Sequence, residues 1–293
     1  MNQTLLKNSL IEKSKEHDNS IYNLSKFKNS LALDYALNSK FTDFTIKKVA
    51  PITTQFYHPF VLERAAQPYK RYEDCFFYSF EDYVENNFEF DIYIAIKTRK
   101  STKEYLRKDI SIKELYCLLH HSYGIIRKEK IQNETVPWSF RAVPSPGGIF
   151  ASEIYVILLN SHLPKGLYHY RSDTNGLELL KKGDFSQFVR ENSGMDMYIN
   201  SIESINGIII TTGMIERLYT KYGERAYRFM LLEIGFIAQN MSLIAESLNI
   251  GTCMLGGYYD DKINDFIGID GLLESVQNIM VFGSKKEEIT KRS

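Results

Sequence analysis

The 293-residue chain has no formal net charge and few cysteines. Its 36 Lys and Arg residues are balanced by 36 Asp and Glu residues. Because nucleic acids and membrane surfaces are polyanions, this balance removes the simplest argument for either as a partner. The three cysteines, Cys75, Cys117 and Cys253, are far apart and show no CxxC spacing. That pattern argues against a disulfide framework or a structural zinc site, and we predict no bound metal.

Signals for export, membrane insertion and common nucleotide sites are also lacking. The polar N-terminus holds no apolar signal-peptide core. The most apolar long stretch, 229–250, contains Glu233, Gln239, Asn240 and Glu246, which favours a buried helix over a membrane span. The absence of GxGxxG, GxxxxGK[ST] and GxSxG argues against a Rossmann site, a P-loop and a nucleophile elbow. We expect a soluble cytoplasmic protein.

The patterns that are present predict an α+β fold. Ser111 and Gly124 are the predicted N-cap and stop of a helix, and Asn175-Gly176 predicts a hairpin turn. Helices and strands are mixed rather than alternating regularly, which favours α+β over a βαβ repeat. We divide the chain into a helical and irregular extension, 1–90, and a main domain, 91–293. Further predicted segments are the helix 23–37, the irregular stretch 51–89, the apolar run 91–97 and the strands 154–159, 208–212, 252–255 and 276–282.

The longest predicted helix has apolar residues on more than one side. One stripe runs along it with spacings of three and four residues, and further apolar residues flank that stripe. Such a helix is packed inside a core or between subunits. Glu233 lies within it and is interpreted as a buried hydrogen-bonding group rather than a catalytic one. The stripe consists of Met230, Ile234, Ile237, Met241, Ile244 and Leu248.

Two segments carry the residue types that could hold a flat, phosphorylated ligand. In an extended segment, Arg99, Ser101 and Lys103 would project to one side and suit a phosphate, although spacing alone favours a solvated basic loop. The loop Pro144-Ser145-Pro146-Gly147-Gly148 exposes its backbone, so that a ring system could approach closely, but it could also be an ordinary turn.

Two further segments follow the same logic. Lys221-Tyr222 pairs a potential base with a hydrogen-bond donor, because a desolvated Lys has a lowered pKa. Gly256-Gly257 permits a second close backbone approach, or forms a tight turn at a strand end.

In this order, these four segments resemble the nitroreductase superfamily, and more closely its streptolysin-type (SagB-like) azoline dehydrogenases. The resemblance covers about residues 91–286. Arg99-Lys100-Ser101-Thr102-Lys103 matches an RRSxR strand-end segment, with Lys103 in place of the last Arg. The family loop PSxGxxYPxE is matched at Pro144, Ser145, Gly147 and Glu153, with Phe150 in place of Tyr and Ala151 in place of Pro. The block KYxxRxYRxxxxExGxxxQN is matched at Lys221, Tyr222, Arg225, Tyr227, Arg228, Glu233, Gly235, Gln239 and Asn240.

The resemblance implies a nitroreductase-like fold with a mostly antiparallel central sheet, in an intertwined homodimer with FMN at its interface. Lys221 would be the catalytic base and Tyr222 its partner. By the same resemblance, FMN would be bound by Arg99, Lys100, Ser101, Lys103, Pro144, Ser145, Gly147, Gly148, Gly256, Gly257 and Lys285.

The implied reaction is oxidation of thiazoline or oxazoline rings in a modified precursor peptide, with a cyclodehydratase complex as a possible partner. Two alternatives stay open at this point. One is an NAD(P)H-dependent flavin reductase acting on nitro compounds, quinones or dehydroamino acids in peptides. The other is a non-catalytic scaffold subunit of a peptide-modifying complex, which the aromatic first 90 residues could help to dock.

Overall fold

A computed structural model describes residues 29–43, 45–84, 90–130, 136–197, 199 and 201–286. In these residues the chain combines helices with one large sheet, as the α+β prediction requires. The helices are α1 (Leu31–Asn38), α2 (Thr45–Phe56), α3 (Pro59–Ala65), α4 (Ile92–Thr98), α5 (Ile112–Tyr123), α6 (Ser186–Asn192), α7 (Ile215–Tyr222), α8 (Ala226–Ser247) and α9 (Asp260–Ile267).

The strands of the large sheet pair antiparallel in the order β1-β7-β6-β5-β8-β10-β2, and β9 also pairs with β10. A separate hairpin is formed by β3 and β4. The prediction of a mostly antiparallel central sheet is therefore confirmed. The strands are β1 (Phe76–Ser79), β2 (Tyr105–Leu106), β3 (Ile125–Glu129), β4 (Trp138–Arg141), β5 (Ser152–Leu158), β6 (Gly166–Arg171), β7 (Gly176–Lys182), β8 (Gly207–Met214), β9 (Ile250–Leu255) and β10 (Glu274–Lys285).

Local sequence accounts for the ends of several elements. Ser111 and Glu114 form a reciprocal capping box at the start of α5, worth about 1 kcal/mol, and Gly124 ends that helix. Asn175, with φ of 49°, turns the chain from β6 into β7. The predicted cap and the predicted hairpin are both present.

The sheet is covered on both faces, because its side chains alternate between two buried clusters. Val156 and Met280 face the layer that contains α5 and α8, whereas Ile157 and Ile279 face the layer that contains α6 and α9. The strands β5 and β8 are almost completely buried, as expected for strands with helices on either side.

The long helix α8 is part of this core, as the sequence predicted. Met230, Ile237 and Met241 are buried, and the opposite side of the helix carries large apolar side chains that are exposed in the single chain. Within Ile215–Ser247, an 18-residue window is apolar enough to cross a membrane, and 44% of that window is buried inside the fold. The exposed side chains are Tyr227, Leu231, Leu232 and Phe236, which we call the α8 face.

The N-terminal part of the chain is more regular than the sequence suggested. The stretch 51–89 was predicted to be irregular, yet its described residues include the end of α2, all of α3 and the strand β1, which pairs with β7. The aromatic residues of this stretch show no helical or strand periodicity in the sequence, because they pack on the sheet and on α7 instead of forming one stripe. The predicted helix 23–37 is present as α1, and its first residues lie outside the described ones.

The segment before Arg99 also differs from the expectation of a strand end. Residues 92–98 form the helix α4, capped by Asp91, whose carboxylate accepts a hydrogen bond from the Tyr93 amide. Only Ala95 of this helix is buried, so its apolar residues do not form a strand of the sheet. The exposed ones are Ile92, Tyr93, Ile94 and Ile96.

Candidate active site

The structure brings together two segments that are far apart in the sequence. They are the loop Pro144-Ser145-Pro146-Gly147-Gly148, which we call the glycine loop, and Lys221-Tyr222, which we call the Lys-Tyr pair. Gly147 has a φ of 68°. A Cβ atom added there would lie 2.8 Å from Lys221 Nζ and 2.7 Å from the Tyr222 hydroxyl oxygen. Both polar groups therefore converge on one point of exposed backbone.

The loop is held in place by its own polar groups. The Ser145 hydroxyl accepts a hydrogen bond of 2.9 Å from the Phe150 amide, and Trp138 Nε1 donates one of 2.7 Å to the Gly148 carbonyl. A side chain at Gly148 would collide with Trp138, 2.8 Å away. Glycine is thus required at Gly148 for space as well as for its φ of 66°. The single Trp of the chain fixes the loop.

Lys221 lies in the last turn of α7 in apolar surroundings. Its Nζ is 4.4 Å from the centre of the Phe56 ring and 5.6 Å from that of Tyr57. Burial lowers the pKa of Lys221, because the charged form loses water. Among the described residues, Lys221 has no ion pair with a carboxylate. A larger fraction of neutral amine is therefore available than for a solvated Lys, as a general base requires.

Tyr222 keeps its proton near neutral pH. Burial, and to a lesser extent Tyr57, raises the pKa of its phenol. Its ring packs edge-on against Phe229, with 4.9 Å between ring centres. Held in this way, Tyr222 can donate a hydrogen bond toward the space in front of Gly147.

Buried charges lie beneath the loop and connect it to the sheet. Arg217 donates to the Phe150 carbonyl at 3.0 Å and to Glu153 Oε1 at 2.6 Å. The other Glu153 oxygen is 3.1 Å from His169 Nε2, whose opposite nitrogen is 2.9 Å from Glu178. Burial would raise the pKa of Glu153, but Arg217 and His169 outweigh it and lower that pKa to about 2.

The predicted Glu233 interaction is also present. Glu233 is fully buried in α8. Its Oε1 atom accepts hydrogen bonds from the Ser152 amide, the Ser152 hydroxyl at 2.7 Å and the Tyr123 hydroxyl. It ties the long helix to the first residue of β5, and takes no part in the space around Lys221.

The segment Arg99-Lys100-Ser101-Thr102-Lys103, which we call the basic segment, lies beside β9. The Thr102 amide donates to the Thr252 carbonyl at 2.9 Å, and Ser101 forms a parallel bridge with Thr252. Thr102 is buried between exposed Ser101 and exposed Lys103, so burial alternates over residues 101–103, whereas Arg99 is the C-cap of α4 and is half-buried. Among the described residues, neither Arg99 nor Lys103 is paired with a carboxylate. Lys100 is exposed next to them.

The remaining predicted residues follow or end the neighbouring strands β9 and β10. Gly256 and Gly257 follow β9, and a Cβ atom added at Gly256 would meet nothing within 4 Å. Lys285 ends β10 and forms an ion pair with Glu246 at 2.5 Å. Its charge is therefore already balanced within the chain, whereas those of Arg99 and Lys103 have no carboxylate partner among the residues that the structure describes.

Within one chain, the two halves of the predicted site do not meet. Ser275 of β10 is level with Gly213, next to the glycine loop, whereas Phe282 is level with Thr252, next to the basic segment. Ser275 and Phe282 are seven positions apart on β10, which corresponds to about 23 Å between the two halves of the site. The helix α8 spans a similar length, from Phe229 beside Tyr222 to Glu246 beside Lys285, or about 26 Å.

Several residues near the Lys-Tyr pair carried no signal in the sequence. Phe56 and Tyr57 belong to the stretch interpreted as irregular, and Arg217 is one charge among many. Behind Phe56 lies a cavity of about 660 Å³, which Ile149, Arg64, Glu216 and Thr220 also line. Among the described residues, no group of three His, Cys, Asp or Glu side chains is arranged to hold a metal.

Comparison with known proteins defines the class. The model of the nitroreductase family matches residues 96–284. The chain belongs to the nitroreductase family.

Two curated relatives match parts of it. A protein of Methanocaldococcus jannaschii that is provisionally named a nitroreductase is 28% identical over 172 residues, which are 58% of this chain and 81% of that one. The Escherichia coli microcin B17-processing protein McbC is 22% identical over 153 residues, 50% of this chain. The chain spans 56% of McbC.

Solved structures show the same fold. A nitroreductase-type structure from Anabaena variabilis has a TM-score of 0.67 at 24% identity, covering 86% of this chain and 46% of its own. A chain of the E. coli microcin synthetase McbBCD complex, solved with truncated pro-MccB17, has a TM-score of 0.53 at 18% identity, covering 89% of this chain and all of its own. At these identities the likeness concerns the fold alone.

Proposed function

We propose that this protein is an FMN-dependent dehydrogenase that oxidises thiazoline or oxazoline rings in a peptide to thiazole or oxazole. The observation that carries the proposal is the convergence of Lys221 Nζ and the Tyr222 hydroxyl on Gly147. A base and a hydrogen-bond donor face one exposed backbone position, as removal of a proton beside a flat cofactor requires.

The likeness to McbC supports a peptide substrate. McbC is named for processing microcin B17, and the McbBCD complex was solved with a truncated form of a precursor, pro-MccB17. We extend that chemistry to this chain as a proposal: its substrate is a modified precursor peptide, and a cyclodehydratase complex is its partner. A cytoplasmic location follows from the same proposal, because ribosomal peptides are made there.

The residues present fit FMN. Arg99 and Lys103, which pair with no carboxylate within the described part of the chain, offer positive charges beside the exposed Ser101, and this suits a phosphate monoester. The left-handed Gly147 and Gly148 and the open space at Gly256 suit close approach of a flat ring. Lys100, Pro144, Ser145 and Gly257 complete the proposed binding residues, and Lys285 contributes less because Glu246 balances its charge.

The chain's own residues would handle the proton. When bound, FMN supplies the acceptor for the hydride lost by the ring. Neutral Lys221 takes the proton from the neighbouring ring carbon and later releases it to water. Tyr222, kept protonated by burial, donates a hydrogen bond that orients the ring. Loss of one proton and one hydride converts the azoline to an aromatic azole.

A homodimer would unite the two halves of the site. A two-fold axis across the middle of α8 would exchange the ends of that helix and place Lys221 of one subunit near the partner's basic segment. The α8 face offers the apolar surface for this contact, with side chains 41–49% exposed in the single chain. The exposed apolar residues of α4, 47–68% exposed, continue it.

The test is to purify the protein, record its visible spectrum and add a synthetic thiazoline peptide. We expect a flavin spectrum, and loss of two hydrogens from the peptide by mass spectrometry. Lys221→Ala should abolish this reaction with FMN content unchanged, while Thr220→Ala, in the same turn of α7, should retain it. Oxidation by Lys221→Ala at the wild-type rate would refute the assignment of the base.

A second candidate is an NAD(P)H-dependent flavin reductase. The relative from M. jannaschii, which is matched over 81% of its length, is named a nitroreductase, and this name favours a reductase function. Rapid bleaching of the flavin by NADPH without any response to the thiazoline peptide would select this function. A protein that is colourless and does not bind added FMN would instead be a non-catalytic scaffold subunit.

A further inference from the structure

The N-terminal part of the chain reaches the candidate site at the end of α2. Phe56 is 2% exposed, and the centre of its ring lies 4.4 Å from Lys221 Nζ. This distance is within the range in which an ammonium group is attracted to the face of an aromatic ring. The Tyr57 ring is farther away, at 5.6 Å.

The position of the Phe56 ring is fixed from several directions. It belongs to a buried cluster with Ile149, Leu218 and Ala226, which come from the glycine loop, α7 and α8. The Thr53 hydroxyl, one turn earlier in α2, lies 3.1 Å from the Val49 carbonyl of its own helix and 3.4 Å from the carbonyl of Lys221, and it shares its single proton between them. The backbone and the side chain of Lys221 therefore both contact the same turn of α2.

Among the described residues, no carboxylate pairs with the Lys221 ammonium group. Two titratable side chains, Tyr57 on α2 and Tyr222 on α7, place their rings 5.6 and 5.5 Å from Lys221 Nζ, and the facing loop contributes Gly147, which has no side chain. Within the described residues, Glu224 accepts from Tyr219 instead, and Arg217 is paired with Glu153. Glu216, on the preceding turn of α7, lines the cavity behind Phe56 and is not paired with Lys221.

We propose that Phe56 is a positioning residue of this enzyme, whose ring holds the Lys221 ammonium group beside Gly147 between turnovers. The inference rests on the proposed function, since that function makes Lys221 the base. It gives the N-terminal segment a direct part in the site, which the family match, beginning at residue 96, does not cover.

The sign of the effect follows from electrostatics. The ring face attracts the charged form of Lys221 and not the neutral form, so it raises the pKa of Lys221 against the lowering caused by burial. Removing the ring while keeping the site apolar should lower that pKa further. It should also leave the amine free to adopt other rotamers, so that it is less often beside the substrate.

The experiment compares Phe56→Leu with wild type in the FMN-bound protein. The titration of the Lys221 ε-carbon is followed by NMR with ¹³C-lysine, and Lys221→Arg assigns the signal. We expect the midpoint to fall by about half a pH unit. With the thiazoline peptide as substrate, the rising limb of the plot of kcat against pH should move to lower pH by the same amount as the NMR midpoint. The plateau of kcat should drop about tenfold, with KM nearly unchanged.

Two variants separate positioning from general damage. Phe56→Tyr keeps an aromatic face and should restore the wild-type titration and plateau. Phe60 lines the same cavity, but it is 74% exposed and has no contact with Lys221. Phe60→Leu should therefore change neither the Lys221 titration nor the kcat plateau. Should Phe56→Leu not fold, Phe56→Met fills more of the volume and provides the same comparison.

The two readouts also separate the two proposals. An unchanged Lys221 titration in Phe56→Leu overturns the positioning role whatever happens to activity. A shifted titration, together with full activity of Lys221→Ala, would leave the contact in place and refute Lys221 as the base.

Discussion

Lys221 Nζ lies against Gly147, so close that a single added methyl group would come within 2.8 Å of it. The two residues come from a loop before β5 and from the end of α7. Their contact joins the glycine loop to the proposed base, and it depends on the absence of a side chain. The first prediction concerns this contact.

Gly147→Ala should reduce turnover of the thiazoline peptide at least tenfold. The new Cβ atom would displace both Lys221 and Tyr222, and a left-handed alanine costs about 1 kcal/mol of stability. Gly268→Ala is the matched control, because Gly268 also has a positive φ, of 89°, but open space around it. It should lose similar stability in thermal denaturation and keep its activity. Equal activity loss in both variants would contradict the prediction.

Arg99→Ala and Lys103→Ala should each weaken FMN binding about tenfold, as loss of one charge-assisted contact to a phosphate implies. Lys285→Ala should weaken it less, because Glu246 already balances that charge. Titration of the apoprotein with FMN, followed by flavin fluorescence, gives the dissociation constants. Lys97→Ala, which removes an exposed charge two positions before Arg99, is the control for general electrostatics. An effect of Lys285→Ala as large as that of Arg99→Ala would contradict the interpretation of the ion pair.

Phe236→Glu should convert the proposed dimer to a monomer that binds FMN poorly. Phe236 belongs to the α8 face, lies near the middle of the helix and is 41% exposed in the single chain, so a charge there would be buried in a dimer. Sedimentation gives the mass and the visible spectrum gives the bound flavin. Leu272→Glu changes a residue that is 81% exposed and outside that face, and should leave both unchanged. A wild-type monomer with full FMN content would refute the shared site.

His169→Gln should remove a pH dependence of stability. Burial would lower the pKa of His169, but hydrogen bonds to Glu153 and Glu178 raise it. The folded protein then holds a proton that the unfolded chain loses near pH 6.5. Its stabilisation is complete below that pH and is lost as pH rises through the folded pKa, with a slope of up to about 1.4 kcal/mol per pH unit.

Melting temperatures between pH 5.5 and pH 9 check this prediction. The wild type should lose stability across the window, whereas His169→Gln should be less stable at the acidic end and flatter. His162→Gln changes an exposed histidine and should retain the wild-type slope. Parallel curves for the wild type and His169→Gln would mean that His169 is neutral in the fold.

Much of the fold could be predicted because it depends on neighbours in the sequence. Ser111 and Glu114 cap a helix through contacts three residues apart, and Asn175-Gly176 sets a turn by its own backbone preferences. The spacing of Met230, Ile237 and Met241 likewise follows from the helical period, and all three are buried. Local chemistry also marked the glycine loop and the Lys-Tyr pair as candidates.

The sequence-based expectation differed from the structure at a short apolar run that pairs with no strand of the sheet. Periodicity alone does not distinguish a short buried strand from a short helix at residues 92–98, and in the structure they form α4 with Asp91 as its N-cap. The aromatic stretch before residue 90 also gave no period, since its residues contact different elements. The division of the chain at residue 90 stays a prediction.

By itself, the sequence determined the segments: which residues turn, which are buried, and which carry the chemistry of a base, a phosphate site or a glycine loop. Only the tertiary structure decided that Phe56 lies over Lys221 and that Thr53 bonds to a backbone 168 positions away. It also decided that Arg99 and Lys221 lie at opposite ends of β10 and α8. Periodicity and turn preference act over a few residues, whereas these relationships depend on how whole helices pack on the sheet.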